Sequence, residues 1–323
     1  MKLSFPCAIF FLLLSPTFAV AQQNPPEETR NAALRYWMAF AELHDPPSDK
    51  TTQDLLEKTA AGEAAWDESR LGPILDMNSD AIAIFQRATK LPDCDWGVEY
   101  AQGPHASVAY AARARVISRL NTLQGIRQMA KGQSQAAVDT WIAGIRFTDH
   151  LAKGGSLLFA LIAKSALLTN LHVLTQQASQ GHLNFSQKQQ LLSALQSIPQ
   201  DGFDWSAAWG YETWSGYLFL EDLRKSSDPR KTYEEITGQP AASHKISVST
   251  SEIQGFRDYM NKVQAALRLS PSQTKEAIDA LDPDRQHFRE LVRGLIPSPQ
   301  KANDARAEIL AARQSIVEVL SKK

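Results

Sequence analysis

Two short stretches of the chain concentrate side chains that could do chemistry. Residues 92–105, PDCDWGVEYAQGPH, place Asp93, Cys94, Asp95, Glu99, Tyr100 and His105 in one turn-rich segment. Asp93, Asp95 and Glu99 offer oxygen ligands to calcium, but the alternating third carboxylate and the glycine of a calcium hand are missing. Cys94 and His105 would make a thiolate–imidazolium nucleophile only if the fold brought them within hydrogen-bond reach. The plainer reading is structural: Asp95 caps a turn, Trp96 anchors it in the core, and Gly97 and Gly103 meet backbone demands.

The second stretch, residues 204–221, reads DWSAAWGYETWSGYLFLE. At helical spacing Trp205 and Trp209 share one face, Tyr211, Trp214 and Leu218 share another, and Glu212 lies between them. Aromatic faces beside carboxylates could stack a sugar ring and do acid–base work on it, with Asp204, Glu212 or Glu221 as the pair. Asp204 and Glu212 are eight residues apart, roughly 12 Å along a helix axis at ~1.5 Å per residue. That exceeds the separation an inverting glycosidase uses, so a partner from another helix would be required. The plainer reading is an aromatic core helix joining two halves.

Other catalytic patterns are missing. The histidines at 44, 105, 150, 172, 182, 244 and 287 never fall three or four residues apart, and HExxH does not occur, so no metal site is expected. There is no GxSxG elbow, no GxxxxGK[ST] and no GxGxxG after a strand, so no cofactor is expected. Ser272-Gln273-Thr274-Lys275 matches SxxK, but its SDN and KTG companions are absent. Lys plus Arg total 34 against 35 Asp plus Glu, which gives no footprint for nucleic acid. Arg113, Arg115 and Arg119 cluster, and their alternation with apolar residues reads as the solvated face of a helix.

The elements that must position these residues are helical. Leu34, Trp37, Met38 and Ala41, and again Val138, Trp141, Ile142 and Ile145, follow the i, i+3, i+4, i+7 rule. Helices are predicted near 105–131, 134–152, 156–177, from Ser186 with Gln189 as its capping-box partner, 204–225, 249–268, 272–293 and 302–320. Ile246-Ser247-Val248 is too short for a strand. Residues 156–177 are apolar on nearly all sides and carry Lys164, which predicts a central core helix rather than a membrane span. Residues 238–247, GQPAASHKIS, read as a loop or linker.

The first 21 residues read as a cleaved secretory leader, with Lys2, an apolar run from Ala8 to Leu14 and Ala19-Val20-Ala21 as the cleavage site. The expectation is export to the periplasm or outside the cell, with no transmembrane anchor once the leader is gone. Residues 22–323 then form a single helical domain, in two halves if a boundary falls near 180–200. LPDCDWG at 91–97 and IPQDGFDW at 198–205 are a short internal echo of such a duplication. Of two cysteines, cleavage discards Cys7 and leaves Cys94 as a buried thiol.

Residues 105–152, with the segment KGQSQAAVDTWIAGIRFTDHLA, resemble a tetratricopeptide-type helical hairpin, and the chain is similar in character to exported bacterial helical proteins. The resemblance implies an antiparallel helix pair and an α-solenoid-like stack of hairpins, or an irregular multi-helix domain. The functional expectation is an all-α protein with a binding or scaffold role in the cell envelope, taking a protein, small-molecule or glycan ligand without catalysis. The rival is a secreted glycoside hydrolase or polysaccharide lyase that uses the Trp-rich helix. Candidate ligand-binding residues are Asp93, Asp95, Trp96, Glu99, Tyr100, His105, Trp205, Trp209, Glu212 and Trp214.

Overall fold

Local capping chemistry sets most helix starts in the computed structural model, which describes residues 29–241 and 246–322. The leader at 1–21, Cys7 and His244 lie outside those residues. Fourteen α-helices are described: α1 (Ala32–Ala41), α2 (Lys50–Ala60), α3 (Glu68–Met77), α4 (Ser79–Ala88), α5 (Tyr110–Ala130), α6 (Ser134–Ala152) and α7 (Leu157–Ser179). They continue as α8 (Phe185–Gln196), α9 (Trp205–Lys225), α10 (Pro229–Thr237), α11 (Thr250–Ala266), α12 (Pro271–Gln286), α13 (Glu290–Leu295) and α14 (Pro299–Ser321). A 3-10 turn spans Tyr100–His105. The protein is all-α, and among the described residues the sole β-type pairing is an isolated bridge between Asn31 and Asp93.

Side chains of Asn31, Asp49, Asp67, Asp204 and Asp228 accept first-turn amides at the starts of α1, α2, α3, α9 and α10. Helix α8 corrects the expected start at Ser186. Its capping box is Asn184 with Gln187, because the Asn184 carboxamide takes the Gln187 N–H and the Gln187 side chain returns to the Asn184 N–H. The helix expected over 105–131 begins only at Tyr110, since Gly103 at φ +53° and the following Pro104 turn the chain first. The helix expected over 272–293 is broken between α12 and α13.

Helices α5 and α6 form an antiparallel hairpin. Its inner face holds a polar network in which Asn121 Nδ2 donates to the Thr140 carbonyl at 2.9 Å and Gln86 Nε2 from α4 donates to Asn121 Oδ1 at 3.2 Å. Helix α7 is long and apolar enough to cross a membrane by length and composition. Here it packs against α5, α6, α9 and α14, with Leu167, Leu171 and Leu174 buried. Lys164 reaches Glu308 of α14 at 2.5 Å, and Leu168 and His172 share a cavity wall with Ala312 and Ser315, so α7 and α14 run parallel. A solenoid repeat touches only its neighbours. The contact of α7 with α14, far along the chain, closes the helices around a central one, and one hydrophobic cluster runs from Ala32 to Leu320.

Candidate functional site

The fold distributes the residues of the first stretch between anchoring and surface roles. Trp96 is buried, donates its indole N–H to the His150 carbonyl at 2.7 Å and stacks on Tyr110 at 4.3 Å between ring centroids. Asp93 pairs with Arg30 at 3.1 Å, and Asp95 accepts the Gly97 amide at 2.9 Å. Glu99 is hydrogen-bonded by Gln102, and His105 is exposed. Burial pushes the Cys94 thiol up to about 12, so no thiolate is available at neutral pH. No group of three or more His, Cys, Asp or Glu side chains able to hold a metal ion occurs among the described residues.

In the Trp-rich helix the plainer reading, an aromatic core helix, describes Trp205 and Trp209, and the rival stacking platform does not. Trp205 and Trp209 are 1% and 0% exposed, and their indole N–H groups donate to the Asp201 and Met260 carbonyls. A ring in the core has no face left for a sugar. Trp214 is 45% exposed, but its N–H is held by the Tyr100 carbonyl at 3.1 Å.

The two stretches nevertheless meet. Tyr211 of α9 donates to the Gly103 carbonyl at 3.2 Å and meets the Tyr100 ring edge-on at 4.9 Å, and Tyr100 donates to the Gly154 carbonyl at 3.1 Å. Glu212 accepts the Leu157 amide at 2.9 Å, the first N–H of α7. Burial raises the Glu212 carboxyl above its usual range, and that amide partly offsets it. Tyr110 Oη and Ser156 Oγ lie buried beside the same turn without a hydrogen-bond partner. These bonds spend the polar tips of Tyr100, Tyr211, Glu212 and Trp214 on backbone groups and fix the start of α7, while the Tyr100 and Trp214 rings stay partly exposed.

Helix α7 carries a better seat for a ligand on its open side. A cavity of about 690 Å³ lies between α2, α5 and α7, floored by Val116, Leu161 and Ile162 and dotted with the hydroxyls of Ser165 and Thr169. Arg115 and Arg119, one helical turn apart on α5, both line it. Arg119 is steadied from α2 by Gln53 Oε1 at 3.1 Å and by Glu57 at 3.6 Å. Burial pulls its guanidinium below the usual arginine value, and Glu57 opposes that pull. Arg113 is spent on Asp45 at 2.9 Å. Arg115 is exposed and makes no hydrogen bond or ion pair among the described residues. The solvated-face reading of these three arginines missed the groove. Its one local signal was the i, i+4 spacing of Arg115 and Arg119, and the wall that gives that spacing meaning comes from α2, some sixty residues earlier.

Comparison with protein-family models, with curated proteins and with solved structures finds no match to this chain.

Proposed function

We propose that this is a helical binding protein that captures an anionic, partly apolar small molecule, a carboxylate head on a hydrocarbon body, in the α2–α5–α7 groove. The observation that carries this reading is the unpaired Arg115 guanidinium beside Arg119 at the rim of an apolar floor. A guanidinium fork matches a carboxylate in two parallel hydrogen bonds, and Val116, Leu161 and Ile162 offer the chain a surface away from water. Leu161 is 42% exposed, so that surface is open to a ligand. Glu57 also lines the groove, and its carboxylate is taken up by Arg119 at 3.6 Å, which leaves the Arg115 guanidinium to meet an anion. The leader-like start of the chain supports a place for this role in the cell envelope or beyond it.

Thermal melting with sodium decanoate as the probe tests the reading. Saturable stabilisation is expected, and Arg115→Glu should weaken it at least tenfold while leaving the melting temperature of the free protein unchanged, because the side chain has no partner to lose. Decanol, which lacks the carboxylate, should stabilise far less. A decanoate response that is absent, or equal in the variant, would overturn the proposal.

A further inference from the structure

A second cavity, of about 610 Å³, opens where α2, α5 and α7 end, and nothing in the decanoate groove explains its chemistry. The three helices stop in the same way. Gly62, Gly132 and Gly181 adopt positive φ of 72°, 73° and 76°. After each, the next amide reaches back to a carbonyl five residues earlier: Glu63 to Lys58, Gln133 to Gln128 and His182 to Gln177. Three helix C-termini, each carrying partial negative charge, therefore lie around one space, with most of their last carbonyls taken by these turns. No Lys or Arg lines it, so an anion has no seat here.

Glu63 is the one carboxylate in the wall and is exposed, and the other polar side chains, Thr59, Ser134, three glutamines and His182, offer both donors and acceptors. Thr59 is 1% exposed and lines the cavity, and its buried Oγ1 has no hydrogen-bond partner, the kind of orphan a ligand can satisfy. Gln176 spends one N–H on the Gly62 carbonyl at 3.3 Å, and Gln177 spends its oxygen on His182 at 2.8 Å, so each keeps its other polar atom open. Gln180 adds a further carboxamide. Trp66 forms an aromatic wall, fixed because its indole N–H donates to Glu68 at 2.8 Å and Glu68 is itself held by Arg127 and Lys131. We infer that this cavity binds a neutral carbohydrate of one or two rings, with the sugar face on Trp66 and its hydroxyls on Thr59 and the glutamine amides. A hydroxyl donates and accepts, as this wall requires. An ammonium ligand, with or without N–H groups, accepts no hydrogen bond and would leave the amide N–H groups unanswered.

The test titrates the full chain with glucose, N-acetylglucosamine, maltose and cellobiose to tens of millimolar, reading tryptophan emission and melting temperature, with tetramethylammonium chloride alongside. At least one sugar should saturate. Trp66→Phe should abolish the emission change and weaken binding. Thr59→Val, which keeps the shape and deletes the orphan hydroxyl, should weaken sugar binding about fivefold to tenfold while the free protein melts at the same temperature or higher. Arg115→Glu should leave the sugar titration untouched, which separates this site from the decanoate groove. The inference is overturned if no sugar saturates, if tetramethylammonium saturates instead, or if Trp66→Phe binds sugar as the parent does. A Thr59→Val variant that melts lower and binds normally would assign that hydroxyl to the fold and likewise count against the site.

Discussion

His150 is a histidine that the fold keeps neutral. It is 6% exposed, its Nδ1 lies 2.8 Å from the Tyr36 hydroxyl, and its carbonyl takes the Trp96 indole N–H. Burial first, then Lys153, pushes the imidazole from 6.5 down to about 4. Unfolding therefore takes up a proton at pH values where the folded protein holds none. Stability is complete above the ordinary histidine value and falls as pH drops from 6.5 through about 4. The shift corresponds to roughly 3 kcal/mol. Urea midpoints across that window should carry this slope, and the double variant Tyr36→Phe/His150→Phe, which removes both polar partners together, should lack it. An equal slope in both proteins would assign the acid sensitivity to other groups.

At the scale of elements, the α5–α6 hairpin depends on a glycine in the middle of a helix. Glycine there costs about 1 kcal/mol against alanine in helix propensity. Its compensation is close approach: a Cβ at Gly125 would fall inside the indole of Trp141, which is wholly buried and points its N–H toward the Thr122 carbonyl at 3.4 Å. Gly125→Ala should therefore lower stability by roughly 2 kcal/mol despite the better helix former, through overpacking. A melting temperature at or above that of the parent would contradict this account. The same logic limits what was legible locally. The periodic, apolar stretches that became α5, α6, α7 and α9 read correctly as helices. The stretch from 45 to 91, which holds α2, α3 and α4, gave no assignment, because helices of only ten or eleven residues are stabilised by tertiary packing more than by their own pattern. At α8, Asn184–Gln187 and Ser186–Gln189 both satisfy capping-box spacing, and the coordinates of the N–H groups choose the former.

For the whole molecule, Arg306 of α14 ties distant segments together. Its guanidinium is 4% exposed and donates to Asp201 ahead of α9, to Thr274 Oγ1 of α12 at 2.9 Å and to the Leu269 carbonyl after α11 at 2.6 Å. Removing the one carboxylate leaves a buried cation unbalanced. Asp201→Ala should cost about 3 kcal/mol, read as a lower urea midpoint with an unchanged slope. A loss within a few tenths of a kcal/mol would mean that the neutral acceptors suffice. Because α7 touches both early helices and α14, unfolding should be a single transition, with near- and far-ultraviolet circular dichroism coinciding. Separate transitions would indicate nearest-neighbour repeats instead.

The sequence alone determined the all-α class and the central place of residues 156–177, because helical periodicity and bulky apolar side chains act through nearest turns; for Trp96 it offered both a core anchor and a ligand contact, and the fold chose the anchor. The two cavities were decided only by tertiary structure. Arg115 on α5 acquires a groove when α2 crosses it, and Thr59, Trp66 and Gln176 become neighbours because three helices happen to end at one place. The choice between core and stacking platform for the Trp-rich helix has the same cause. Trp205 and Trp209 form a face on an isolated helix, and the packing of α11 against α9 turns that face into core. Helical periodicity fixes which residues share a face, and only the approach of other helices fixes whether that face meets protein, water or a ligand.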